Sequence, residues 1–174
     1  GTAVFGGMRA YWNADQKRLF MFRPFDHFRR LLQSARMLSM QTTYDEESLI
    51  QLTLDVLRTD HWQQDVYMRP TFYKADMGIG VRLHDLKDDF CMFTMPFEKY
   101  MKNDTNAHVT ISAWRRIDDN MIPARGKVAG AYVNSALIKS DAVHAGFDEA
   151  LAMDDNGHIS EGSAMNIFML RDGV

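Results

Sequence analysis

Residues 122–140 read IPARGKVAGAYVNSALIKS, and the lysine in this stretch decides how the rest is read. Lys127 stands between Gly126 and Val128-Ala129-Gly130, and no further charge follows until Lys139. A lysine normally keeps its ammonium in water. Two readings are therefore open. Lys127 is either a solvated loop residue ahead of a helix, or a lysine in a tight pocket whose amine loses its proton and acts as a nucleophile. It is not the lysine of a phosphate-binding loop, because Val128 follows it where Ser or Thr is required. From Val128 onward the apolar spacing predicts a helix over 128–145.

Working downstream, FDEALAMDDNGHISEG (147–162) predicts a strand, an Asp-Asn-Gly turn and a second short strand, and AMNIFMLRDG (164–173) predicts a further strand. Upstream, HVTISAWRRI (108–117) alternates as a strand does. PFEKYMKNDTNA (96–107) is polar, proline-led and aperiodic, which marks a linker and places a domain boundary near residue 104. The expected domains are 1–103 and 104–174. Within the first, strands are expected at 2–12, 18–23, 65–74 and 89–95, with a glycine-containing loop, MGIGVRLHD, before the last. Apolar positions 28, 31, 32, 35 and 38 predict a helix over 24–38 with Asp26 as its N-cap. Thr43-Tyr44-Asp45-Glu46 has a capping-box pattern ahead of Leu49, Ile50, Leu54 and Leu57, and predicts a second helix. Strands first and a mixture afterwards give an α+β fold class.

The 174 residues are 46% hydrophobic and 25% charged, a globular composition with enough apolar side chains for a core. A formal net charge of −3 supplies no field to attract nucleic acid or a membrane surface, so neither is expected as a partner. One cysteine, Cys91, cannot form an intrachain disulfide and suits a reducing compartment, and a cytoplasmic location is expected. The chain opens on strand-like GTAVFGG and closes on NIFMLRDGV, from which a fragment cut in mid-domain at the C-terminus is expected. Six scattered histidines give no metal-ligand spacing and no Ser-His-Asp or Cys-His set, so no metal is expected.

Three further stretches compete with Lys127 for a chemical role. HISEGSAMNIF (158–168) places Glu161 beside Gly162 and Ser163, where backbone can approach a ligand closely or where a turn glutamate simply faces water. FDHFRRLLQSARM carries Arg29, Arg30 and Arg36, which form the wet side of an amphipathic helix or bring one guanidinium to a phosphate. Tyr67 and Arg69, two apart on a strand, share one face, either as a surface pair or as a clamp for a carboxylate.

Taken in order, GTAVFGGMRAY, FRPFDHFRRLLQSAR, VYMRP, PFEKY, IPARGKVAGAY and DEALAMDDNGHISEGSAMNIF resemble the class IV pyridoxal-phosphate aminotransferases, most closely the branched-chain amino acid aminotransferases. The resemblance covers essentially the whole chain. The first half of the family signature matches Glu161, Ser163, Asn166 and Phe168. It implies the fold type IV architecture of D-amino acid aminotransferase-like enzymes: a small α+β domain, 1–103, and the first part of the larger domain that binds pyridoxal 5'-phosphate, 104–174.

The resemblance also implies roles. Lys127 would carry the cofactor covalently, Arg30 would hold its phosphate, Tyr132 would hydrogen-bond the ring hydroxyl, and Glu161 would pair with the ring nitrogen. Phe5, Tyr67, Phe97 and Tyr100 would line the substrate pocket, and Arg69 would help to bind the substrate carboxylate. Phe97 departs from the tryptophan often found at that position, which bears on pocket shape. The implied activity is transamination of L-leucine, L-isoleucine and L-valine with 2-oxoglutarate, by a homodimer whose small-molecule substrates are amino acids and 2-oxo acids. Sister activities on the same scaffold are the alternatives: D-amino acid transamination, aminodeoxychorismate lyase chemistry or (R)-amine transamination. A truncated, non-catalytic piece is another. Elementary chemistry agrees with the residue types. An amine attacks an aldehyde only in its neutral form, which small apolar neighbours favour, and a carboxylate at Glu161 would keep a pyridine nitrogen protonated.

Overall fold

A computed structural model describes residues 1–97, 99–101, 103 and 105–174. The chain divides into two compact units, one comprising Gly1–Tyr100 and Arg125–Ala129, the other Met101–Ala124 and Gly130–Val174. Asp104, where the sequence places a boundary, lies outside the described residues, as do Glu98 and Lys102.

The first unit is an antiparallel sheet with two helices. Its strands are β1 (Ala3–Phe5), β2 (Met8–Asn13), β3 (Arg18–Met21), β4 (Val66–Lys74) and β5 (Asp88–Pro96); its helices are α1 (Pro24–Met37) and α2 (Glu46–Asp60). β4 is central. One edge pairs with β5 along its whole length, and the other takes β2 and β1 end to end. β3 pairs with the outer edge of β2. The expected strand 2–12 is thus one run in a single register on β4, interrupted at Gly6-Gly7. Close approach explains the interruption. A Cβ at Gly6 would lie 2.9 Å from Pro70 Cγ, and one at Gly7 would lie 2.6 Å from the Tyr67 hydroxyl.

Alternation along β4 divides its residues between two faces. Val66, Met68, Pro70 and Phe72 are buried, and with Phe28, Leu31 and Leu49 of the helices they form this unit's core. Burying each such side chain contributes about 1.5–3 kcal/mol before entropy is counted. Tyr67, Arg69 and Tyr73 occupy the other face.

Both helix starts differ in detail from expectation. Asp26 is not the N-cap of α1. Arg23 is, in a left-handed conformation, because Pro24 with its fixed φ and missing N–H suits the first helical turn; Asp26 lies inside that turn and accepts from Arg23 Nε at 2.8 Å. α2 does have a capping box, but one built on Asp45 and Ser48 rather than Thr43 and Glu46. The Asp45 carboxylate accepts from Ser48 N–H at 2.8 Å, and Ser48 Oγ accepts from Asp45 N–H at 2.9 Å.

The second unit contains β6 (Val109–Arg115), α3 (Tyr132–His144), β7 (Glu149–Met153) and β8 (Ile159–Gly162), in sheet order β6-β7-β8. β6 and β7 are parallel, which demands a crossover, and α3 supplies it. Ile138 and Ala142 of α3 pack with Ala150 and Ala152 of β7. The helix begins at Tyr132 rather than 128, since a 3-10 turn, Ala129–Ala131, precedes it. The further strand expected at 164–173 does not form. A strand needs a neighbour along its length for its N–H and C=O groups, and among the described residues no strand ladder forms on this segment, although Gly162 N–H donates to the Met165 carbonyl at 2.8 Å; Phe168 is 91% exposed. Among the described residues, no helix is long and apolar enough to cross a membrane.

Candidate active site

The lysine segment is tied to the first unit by its backbone. Val128 forms an antiparallel bridge with Val4, and Phe5 N–H donates to the Lys127 carbonyl at 3.1 Å. Lys127 N–H donates in turn to Ser34 Oγ at 3.1 Å, while that hydroxyl donates to the Arg30 carbonyl one helical turn back, at 2.9 Å. Ser34 is fully buried. Both backbone polar groups of Lys127 are therefore held, while its side chain is half-buried with Nζ 5.1 Å from the centre of the Phe5 ring.

Phe5 connects the lysine to the polar face of β4. The Arg69 guanidinium carbon lies 4.3 Å from the Phe5 ring centre, and Arg69 Nε donates to the Tyr67 hydroxyl at 2.9 Å. Tyr67 packs 5.3 Å from Phe97, which packs 6.1 Å from Tyr100. Tyr67, Phe97 and Tyr100 line a cavity of about 300 Å³, joined there by Gly7, Arg9 and His27. Arg9 stacks on Phe97, 4.6 Å from its ring centre. Of the residues expected at the substrate, Phe5 and Arg69 are not among those that line this cavity, and neither is Lys127.

Arg30 is exposed on α1, its Nη2 3.4 Å from His27 Nδ1. Partial burial holds the His27 imidazole below its ordinary value, and the nearby Arg30 charge adds to that effect. A neutral ring at Nδ1 can accept from the guanidinium.

In the second unit, half-buried Tyr132 opens α3 and Glu161 lies on β8. Glu161 is not a turn glutamate in water: Arg116 Nε donates to its Oε1. Arg116 follows β6, and its own N–H donates to the Met153 carbonyl of β7 at 2.8 Å. Its Nη1 is buried and, among the described residues, has no hydrogen-bond partner. Asn134 fastens the end of β6 to α3, accepting from Ile117 N–H and donating to the Arg115 carbonyl.

Seven of the sequence-derived site residues thus lie in the first unit: Phe5, Arg30, Tyr67, Arg69, Phe97, Tyr100 and Lys127. Tyr132 and Glu161 lie in the second. Ser34, His27, Arg9 and Arg116 contact these residues, although no spacing in the sequence singles them out. For Ser34 the only signal was a small polar residue four positions after Arg30 on the buried side of an amphipathic pattern.

The model of the class IV amino-transferase family matches residues 3–174. The chain belongs to that family. Among class IV relatives it is 41% identical to a probable branched-chain-amino-acid aminotransferase of Aquifex aeolicus (strain VF5), over 99% of this chain and 56% of the relative. It superposes with a TM-score of 0.94 on the branched-chain aminotransferase of Thermoproteus uzoniensis crystallised with norvaline, at 34% identity, covering 99% of this chain and 57% of that one. With the branched-chain amino acid aminotransferase of Thermobaculum terrenum in its PLP-bound holo-form the TM-score is 0.86 at 32% identity, over 92% and 52% of the two chains. The expected fold type IV architecture is therefore present, and the chain spans a little over half the length of these class IV relatives.

Proposed function

We propose that the intact protein is a pyridoxal 5'-phosphate-dependent transaminase that moves the amino group of L-leucine, L-isoleucine or L-valine to 2-oxoglutarate. The setting of Lys127 carries this reading: an amine on a segment pinned by Ser34 and Phe5, in a class IV chain whose relatives bear that name. The donor set fits the cofactor. It offers a lysine amine for an aldehyde, a guanidinium at Arg30 for a phosphate, and a carboxylate at Glu161 for a pyridinium nitrogen. Bound pyridoxal phosphate supplies the electron sink that lets the substrate Cα–H bond ionise.

The chain's own residues divide the remaining work. Lys127 Nζ takes the proton from substrate Cα and returns it to the cofactor side, as a general base and then acid. Arg30 holds the phosphate oxygens, Tyr132 the ring hydroxyl, and Glu161 the proton on the ring nitrogen. Arg69, braced by Tyr67 and Phe5, orients the substrate carboxylate, while Tyr67, Phe97 and Tyr100 exclude water around the hydrocarbon side chain. A homodimer working in the cytoplasm, with domains 1–103 and 104–174, completes the proposal. Turnover of the three branched-chain L-amino acids beside D-alanine and an aryl amine tests it. Reaction with the D-amino acid or the amine alone would replace the substrate assignment.

A further inference from the structure

We infer that Ser34 is a positioning residue that fixes Lys127 relative to Arg30. This rests on the roles proposed for those two residues. A single hydroxyl touches both backbones, donating its proton to the Arg30 carbonyl at 2.9 Å and accepting from Lys127 N–H at 3.1 Å. It does so at a site with no exposed surface, where water cannot substitute for a lost partner. Phe5 N–H holds the Lys127 carbonyl from the other side, and the Val4–Val128 bridge continues that pairing by one residue. The nucleophilic lysine and the phosphate-holding arginine stand 97 positions apart in sequence, so no local geometry sets their spacing. Ser34 does. Reach from aldehyde to phosphate is fixed in a rigid pyridine ligand, and an anchor that drifts by an ångström loses grip at one end.

Three features single the serine out from an ordinary buried hydroxyl. Its donor and acceptor are both used, its two partners belong to segments remote in the chain, and each partner's side chain has a proposed role toward one ligand. Thr53 on α2 provides the contrast. It is equally buried and its hydroxyl also donates to the carbonyl four residues back, Leu49 O at 2.7 Å, but its remote contact is Met92 Sδ of β5 at 3.6 Å, and among the described residues it makes no hydrogen bond to the lysine segment.

The test compares Ser34→Ala, Ser34→Thr and Thr53→Val in the intact protein, reading pyridoxal 5'-phosphate half-saturation by visible absorbance, exchange of the Lys127 amide hydrogen, and thermal stability. Ser34→Ala is expected to weaken half-saturation about tenfold and to speed Lys127 amide exchange by a similar factor, as loss of a buried hydrogen bond implies. Ser34→Thr keeps both bonds and restores both readouts at least in part. Thr53→Val is expected to lower stability while leaving half-saturation and Lys127 exchange as in wild type. If Ser34→Ala loses stability as Thr53→Val does but binds and exchanges as wild type, Ser34 is merely structural and the inference falls. If wild type itself develops no cofactor band, the proposed function falls first, and exchange at Lys127 still reports whether Ser34 holds the segment.

Discussion

Arg116 donates from Nε straight to Oε1 of Glu161, so the carboxylate proposed for the ring nitrogen is held by a cation of its own unit. Both side chains are largely sheltered, 15% and 30% exposed, where removing one member of an ion pair costs more than the pair contributes. Arg116→Met should therefore lower stability by about 1–3 kcal/mol and leave Glu161 free to swing from its place. A double-mutant cycle with Glu161→Gln, read by denaturant unfolding, is expected to give a coupling energy of about 1–3 kcal/mol. A coupling near zero would mean that the contact does not hold the carboxylate.

Gly7 owes its identity to Tyr67. An added Cβ would meet the tyrosine hydroxyl at 2.6 Å, the far end of a side chain that can give way only by losing its bond from Arg69 Nε. Gly7→Ala is expected to displace Tyr67 and thereby take the brace from Arg69 Nε. If Arg69 binds the substrate carboxylate as proposed, steady-state kinetics should show KM for L-leucine raised about tenfold, with a smaller change in kcat, since such a contact would act before and during reaction alike. An unchanged KM would separate Tyr67 from carboxylate recognition.

Acid should act on the second unit through Glu149. Burial alone pushes this carboxyl up, but hydrogen bonds from Ser163, Ala150 N–H and the Lys139 ammonium outweigh it and leave it below the ordinary value. A carboxyl lowered on folding binds its proton less readily in the native state. Its contribution is therefore complete above the unfolded value of about 4.3 and is lost as pH falls through the lower, folded one. Glu149→Gln is expected to cost about 1–3 kcal/mol at pH 7, with the gap to wild type closing as pH falls through the lowered, folded value. Denaturant unfolding across that pH range checks it; a gap independent of pH would assign the loss to packing alone.

The sequence carried much of this, for physical reasons that can be named. Alternation in VYMRPTFYK marked β4 and put Tyr67 and Arg69 on one face, where they hydrogen-bond. Glycine flanks drew attention to Lys127. The order of remote segments carried the family resemblance, which the match over residues 3–174 bears out. What stayed hidden were contacts made by folding rather than by spacing: Ser34 against Lys127, and Arg116 against Glu161. Helix starts are blurred in sequence by local competition, since Asp26 and Asp45 both suit a cap and only backbone geometry decides between cap and first turn. Apolar composition at 164–170 suggested a strand, but composition cannot supply the neighbour that a strand requires.

Borohydride reduction of the protein with pyridoxal 5'-phosphate, followed by peptide mass mapping, decides whether Lys127 is the lysine that carries the cofactor. One stable adduct is expected, on the peptide bearing Lys127, with both the adduct and the visible absorbance lost in Lys127→Ala. Label spread over other lysines, or absorbance that survives the substitution, would contradict it.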